Sequence, residues 1–204
     1  IAYDWLYATL SDSQKQLIVK GLNARAIQPF WEAVEADVDW INGRNNWMTC
    51  VVGGMGIVGL ALGGDHPDAE RLVAFAHTRM VNYLQQYGRN GEFNEAIGYS
   101  TATRLPILYF GAQRYASASR DDQLSQWPFV ETAVWNAYTL LPPGRLLAFG
   151  DAHVDRLAQL DYLAPIAAAS RNGVIQWVYL TCQSTTDATG YDLPIGLLGF
   201  DASV

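Results

Sequence analysis

The stretch ERLVAFAHTRMVNYLQQYG, residues 70–88, decides the fold class. Leu72, Ala76, Met80, Tyr83, Leu84 and Tyr87 recur at three- and four-residue spacing. That spacing stacks them along one face of an α-helix and scatters them over both faces of a strand. Gly88 closes the run. Asp65-His66-Pro67 precedes it, and Pro67 suits a first helical turn, where its missing N–H has no partner to lose. His66 reads as part of that helix-start turn, and His77, in mid-helix, as a packed or partly exposed imidazole.

The same period continues outward in both directions. Upstream, Ile1 to Leu6 already reads as helix. Ser11-Asp12 forms a cap region ahead of Leu17, Gly21, Ala24, Ile27, Trp31, Val34 and Val38, and a second stripe runs through Trp47, Val51, Met55, Val58 and Leu62. Downstream, Arg89 to Gly98 is polar and glycine-bearing and reads as a loop. A helix from about Tyr99 to Ala118 follows, kinked or restarted at Pro106. Trp127, Val130, Val134, Ala137 and Leu141 mark another, stopped by Pro142-Pro143-Gly144. Leu157, Leu160, Ala164 and Ala167 mark the next, closed by Asn172-Gly173, and a shorter apolar segment spans Val174 to Thr181. The tail after Ser184 has no periodicity.

No segment alternates with the two-residue period of a strand. The expectation is an all-α chain of about seven or eight helices, whose short connections favour antiparallel neighbours. Successive helical hairpins of this kind build a solenoid or an incomplete (α/α) toroid. The absence of a strict sequence repeat weakens the simple solenoid, so a single toroid-type domain over 1–204 is the architecture expected.

Half of the 204 residues are hydrophobic and 16% are charged, a folded composition. The formal charge of −7 argues against nucleic acid as a partner, since phosphate neutralisation needs clustered Lys and Arg. An acidic polymer would need local arginines, for which Arg44, Arg89, Arg104 and Arg114 are candidates. Cys50 and Cys182 form no disulfide framework and no C-x-x-C, and Cys50, beside an apolar run, reads as a buried thiol. The apolar runs are read as broken by Gly, Asp or Arg before the ~18 residues of a membrane span, so no membrane is expected as partner. The chain opens on Ile1 without initiator Met or leader, and is read as a piece of a longer soluble protein.

Four blocks resemble one family of enzymes. Tyr3-Asp4-Trp5-Leu6-Tyr7 with Leu10-Ser11-Asp12, Asn45-Asn46-Trp47 with the glycine-rich run to Gly64-Asp65, Gly91 to Tyr99, and Phe149-Gly150-Asp151 leading to Gln176-Trp177 stand in order along most of the chain. Together they resemble the helical domain of the heparinase II/III-like and alginate-lyase group of polysaccharide lyases. The resemblance implies an (α/α) toroid followed by a β-sandwich domain, which would be this chain's own missing C-terminal partner. It also implies an acidic polysaccharide or oligosaccharide as substrate, no cofactor, and a periplasmic or secreted location.

Such lyases break a uronic-acid chain by β-elimination. The C5 proton is poorly acidic beside a charged carboxylate, so a donor must stabilise the developing enolate-like charge. A base for C5 and an acid for the leaving oxygen complete the requirement. The resemblance assigns the carboxylate to Asn46, with Asn45 as the alternative, and base and acid to Tyr99. For Asn46 the competing reading is a helix N-cap. For Tyr99 it is a packed ring with one satisfied hydroxyl.

Trp47 stands where many members carry His. It would stack on a sugar face or, as the commoner role of a Trp at helical spacing, fill the core. Glu95 would hydrogen-bond a sugar hydroxyl or brace Tyr99, against a plain loop carboxylate. Arg104 and His153 complete the substrate-binding candidates. The three histidines show no metal-ligand spacing, and no metal is expected.

Two further functions compete. A helical domain that binds sugar without catalysis is favoured by Trp47. A nucleotide-binding domain is suggested by Gly54-Met55-Gly56-Ile57-Val58-Gly59, which fits G-x-G-x-x-G, with Trp47 to Val52 passing as a strand in isolation. No further parallel strands accompany it, and small residues that let two helices approach closely account for the glycines better.

Overall fold

The computed structural model describes residues 1–93, 100–116, 122–141, 145–147, 161–183, 196 and 199–204, with backbone alone for 100–104, 146, 182 and 183. Among the described residues the chain is helical apart from one two-residue ladder. It divides into two compact units, Ile1–Tyr83 and Leu84–Val204.

Unit 1 begins with α1 (Ala2–Leu6) and a 3₁₀ turn at Tyr7–Thr9. Ser11 then caps α2 (Asp12–Leu22): its hydroxyl accepts from the Gln14 N–H, and the Gln14 side chain accepts from the Ser11 N–H. That reciprocal pair satisfies two of the orphan donors of a helix start. A wide π-helical turn, Asn23–Ile27, joins α2 without a break to α3 (Gln28–Glu35).

The wide turn corrects the first expected stripe. A turn closed by i→i+5 bonds lags the rotation of an α-helix. Leu17 on one side of it is 72% exposed, whereas Ile27 and Trp31 on the other are 0% and 7% exposed. Two edge-to-face contacts, Phe30–Phe75 at 5.7 Å and Trp31–Phe75 at 5.6 Å, then tie α3 to α6 (Ala69–Leu84). The Arg71 guanidinium lies 3.7 Å over the Trp31 ring.

The short α4 (Asp39–Asn42) and α1 pack on α5 (Asn46–Leu62). The expected stripe of α5 holds at Met55 and Leu62, but in the first turns it is displaced by one residue. Trp47 and Val51 are exposed, and Met48, Val52, Met55, Gly56, Gly59 and Leu62 are buried. Glycine explains the shift, because the buried face is the one where a missing side chain lets another helix come close. A Cβ on Gly59 would lie 2.6 Å from the Ala69 carbonyl oxygen of α6. At Gly54 it would meet nothing within 4 Å. Close approach therefore accounts for one glycine of the G-x-G-x-x-G run, and the run lies inside a helix rather than between a strand and a helix.

Cys50, on the same helix, is exposed and unpaired rather than buried. The apolar run is also longer than expected. Within Asn46–Asp65, 20 residues long, an 18-residue window has mean hydropathy 1.6, enough by length and composition to cross a membrane, and 44% of that window is buried within the protein. Its glycines add no charge and so do not interrupt it.

The stripe of α6 is as expected: Leu72, Ala76, Met80, Tyr83, Leu84 and Tyr87 are all at most 4% exposed. In unit 2, α7 (Ser100–Ala116) runs without a break through Pro106. A 3₁₀ turn, Gln123–Ser125, leads to α8 (Phe129–Tyr138). Here the expected face is again the wrong one: Val134 and Leu141 are exposed, while Phe129, Thr132, Ala133 and Asn136 are buried. The buried face carries polar side chains because each finds a backbone carbonyl, one across the unit and one within the helix. The Thr132 hydroxyl donates to the Gly91 carbonyl at 2.7 Å, and the Asn136 amide to the Thr132 carbonyl at 2.8 Å.

After α8 the chain forms β1 (Leu140–Leu141) and β2 (Arg145–Leu146), an antiparallel pair in which Leu140 faces Leu146. This small ladder was not foreseen, two residues being too few to show alternation. Then α9 (Leu163–Ser170) and α10 (Gly173–Gln183) form a tight helical pair. Arg171, at φ 51°, supplies the left-handed residue that ends α9. Asn172 both closes α9, its N–H donating to the Ala167 carbonyl at 3.0 Å, and opens α10, its side-chain oxygen accepting from the Val174 and Ile175 N–H groups at 3.1 and 3.2 Å. The core of unit 2 gathers Tyr109, Phe110, Leu124, Phe129, Leu163 and Ile166, each at most 2% exposed.

Candidate functional site

The start of α5 carries the three adjacent candidates Asn45, Asn46 and Trp47. The cap belongs to Asn45: its backbone is extended and its side-chain oxygen accepts the Met48 N–H at 3.2 Å. Asn46 is the first helical residue, half-buried, and its carbonyl accepts the Thr49 hydroxyl at 2.9 Å. The capping role weighed against Asn46 thus falls to its neighbour. Trp47 is 65% exposed, which removes the core role. An amide at the positive end of a 17-residue helix, beside an exposed indole, forms a surface suited to a polar ring-shaped ligand.

A second cluster in unit 1 joins the ends of two resembling blocks. The Tyr3 hydroxyl donates to Asp65 Oδ2 at 2.7 Å and the Tyr7 hydroxyl to Asp65 Oδ1 at 3.3 Å. Two phenols one helical turn apart thereby hold one carboxylate, and the Lys15 ammonium lies 3.7 Å over the Tyr7 ring. Next to Asp65, His66 is buried. Its Nδ1 accepts the Asp68 N–H at 3.1 Å, which leaves the proton on Nε2 facing Asn23 Oδ1 at 3.0 Å. The helix-start role expected of His66 holds. The role of Asp65 as shared acceptor was missed in the sequence; the four-residue spacing of Tyr3 and Tyr7 was the signal for it.

Burial, and then the bond to Asp65, push the Tyr3 phenol from its ordinary 10.0 up to about 12. A raised phenol is neutral in the folded protein where the unfolded chain has already ionised. Its stabilising effect is complete below pH 10.0 and disappears as pH rises to about 12. Over that window unit 1 is expected to lose stability more steeply than its Tyr3→Phe variant, as read from urea midpoints at successive pH values. Parallel pH dependences would contradict this role of Tyr3.

Of the other candidates, Tyr99, Glu95 and His153 lie outside the described residues, and Arg104 is described only in its backbone, within α7. His77 is half-buried in α6, and Arg44 and Arg89 are exposed. Arg114 is half-buried and pairs with Asp122 at 3.3 Å. Among the described residues no group of three or more His, Cys, Asp or Glu is placed to hold a metal ion.

The chain matches no known protein family, no curated protein and no solved structure.

Proposed function

We propose that the chain is the helical domain of a polysaccharide lyase, arranged as an incomplete (α/α) toroid, that cleaves a uronic-acid-containing polysaccharide by β-elimination. The observation that carries this reading is the start of α5, where Asn45 takes the cap and Asn46 and the exposed Trp47 are left for a ligand. In this reading the Asn46 amide donates to the substrate carboxylate, and Trp47 or Asn45 contacts the sugar. Tyr99 moves the C5 proton and delivers one to the leaving oxygen. Glu95, Arg104 and His153 bind the flanking sugars. The acidic substrate and a periplasmic or secreted location belong to the same proposal and rest on the resemblance of the four sequence blocks.

The test is the ultraviolet absorbance of the unsaturated product, with alginate and heparin as substrates for the full-length protein. Removing one preorganised donor is expected to slow the reaction about a hundredfold for Asn46→Ala. Tyr99→Phe, which deletes the proton carrier, should abolish the product. Full rate in both variants would end the assignment.

The exposed Trp47 also favours a second reading, a domain that binds sugar without cleaving it. Oligosaccharide that raises the melting temperature without forming product distinguishes this reading from the first.

A further inference from the structure

Within unit 2, α7, α9 and the C-terminal residues enclose a cleft of about 390 Å³, remote in sequence from the start of α5. Two buried apolar residues, Leu124 and Pro165, are part of its lining. Two charged side chains line it, Arg114 from α7 and Asp201 from the C-terminal residues. Two exposed rings also line it, Tyr115 at 63% and Phe200 at 45% exposure. At Gly111 a Cβ would find its nearest neighbour, Leu124 Cδ1, only at 4.0 Å, so the α7 wall is open there.

The two charges are held in place by bonds that leave them other bonding positions. Arg114 spends an Nη1 donor on Asp122 at 3.3 Å, out of the five N–H donors a guanidinium carries. The Ser203 N–H and hydroxyl both reach the same oxygen of Asp201, Oδ1, at 2.8 and 2.7 Å. These bonds, with Arg171 and Arg114 nearby, hold the Asp201 carboxyl below its ordinary range, so it faces a ligand as an acceptor. Gln176 fixes the segment from behind, its amide donating to the Asp201 carbonyl at 3.0 Å.

We propose that this cleft is a binding site for one pyranose ring of a saccharide, with ring hydroxyls bridging Arg114 and Asp201 and the carbon face against Tyr115 and Phe200. A hydroxyl both donates and accepts, and it is the group that matches a donor-only side chain beside an acceptor-only one. Aromatic rings exposed at a rim pack the C–H face of such a ring while its edge stays wet. The surroundings are balanced in charge, with Arg114 and Arg171 against Asp122 and Asp201, which favours a neutral ligand over an ion of either sign. The volume lies toward the small end of ligand sites, about 300–1,000 Å³. The proposal stands whether or not the chain is a lyase, because none of these residues belongs to the Asn46 site.

Titration calorimetry with glucose, galactose and mannose, and with phenylalanine as a zwitterionic ring control, tests the proposal. At least one hexose is expected to bind saturably. The double variant Tyr115→Ala/Phe200→Ala, which removes only exposed rings, should weaken it about fivefold or more. Ala168→Trp, which fills the cleft from α9, should do the same, and Leu17→Ala, at an exposed position of unit 1, should leave the affinity unchanged. Absence of saturable hexose binding, indifference to both cleft changes, or displacement of the hexose by phenylalanine would overturn it.

Discussion

Gly91→Ala is expected to lower the unfolding free energy of unit 2 by about 3–6 kcal/mol, the sum of the strain, overpacking and hydrogen-bond costs below. Gly91 sits at φ 78°, where an L-residue pays about 1–2 kcal/mol for its Cβ. The larger cost is positional. A Cβ there would lie 2.1 Å from the Thr132 nitrogen and 2.3 Å from the Glu131 carbonyl carbon, both backbone atoms of α8. Backbone cannot swing aside as a side-chain tip can, so the turn and α8 must separate, at about 1–3 kcal/mol. Separation also strains the bond from the Thr132 hydroxyl to the Gly91 carbonyl, worth about 1 kcal/mol. Urea unfolding followed by circular dichroism measures the loss. Gly54→Ala is the control: exposed in mid-helix with nothing within 4 Å, it should gain about 0.5–1 kcal/mol. A Gly91→Ala protein within about 1 kcal/mol of the parent would mean that the turn is not seated against α8.

Phe129→Ala should cost about 3–5 kcal/mol, the range for emptying a fully buried aromatic site. Phe129 is 0% exposed at the start of α8 and meets Phe110 edge-to-face at 5.7 Å, which in turn meets Tyr109 at 5.2 Å. Three rings from two helices thus share one packing site, and no single neighbour can fill the void. The comparison that gives the experiment its force is Val134→Ala on the opposite face. Val134 is 37% exposed and should change stability by less than about 0.5 kcal/mol. Equal costs at 129 and 134 would restore the face that periodicity suggested and contradict the fold of unit 2.

These two faces of α8 illustrate what a single sequence conveys. Helical period was legible, since it needs only spacing, and α6 followed it residue for residue. Which face is inward was legible only where apolar residues outnumber alternatives, as in α6. In α8, Thr132 and Asn136 are buried with their donors bonded to the Gly91 and Thr132 carbonyls, and a hydrophobicity pattern cannot register a bond. In α5 the inward face is marked by Gly56 and Gly59, whose contribution is an absent side chain. At the candidate site, two asparagines in a row left the cap ambiguous by one residue. Only backbone geometry separates the capping amide of Asn45 from the amide of Asn46. The cleft beside Arg114 was foreseen only as a cation in search of company, because its partners come from α9 and from the last residues of the chain.

The five residues at Asn23–Ile27 act as a phase adaptor between two helices that would otherwise be one rod. Excising a single residue there would let ordinary i→i+4 pairing run through, and everything beyond would turn by about 100° about the axis. Ile27, Phe30 and Trp31 would swing away from α6, and Asn23 would leave the imidazole of His66. The segment is therefore intolerant of a change in length while tolerant of changes in side chain at its exposed positions, Ala24 and Arg25. In unit 1 it is residue count, more than residue identity, that aims the aromatic cluster.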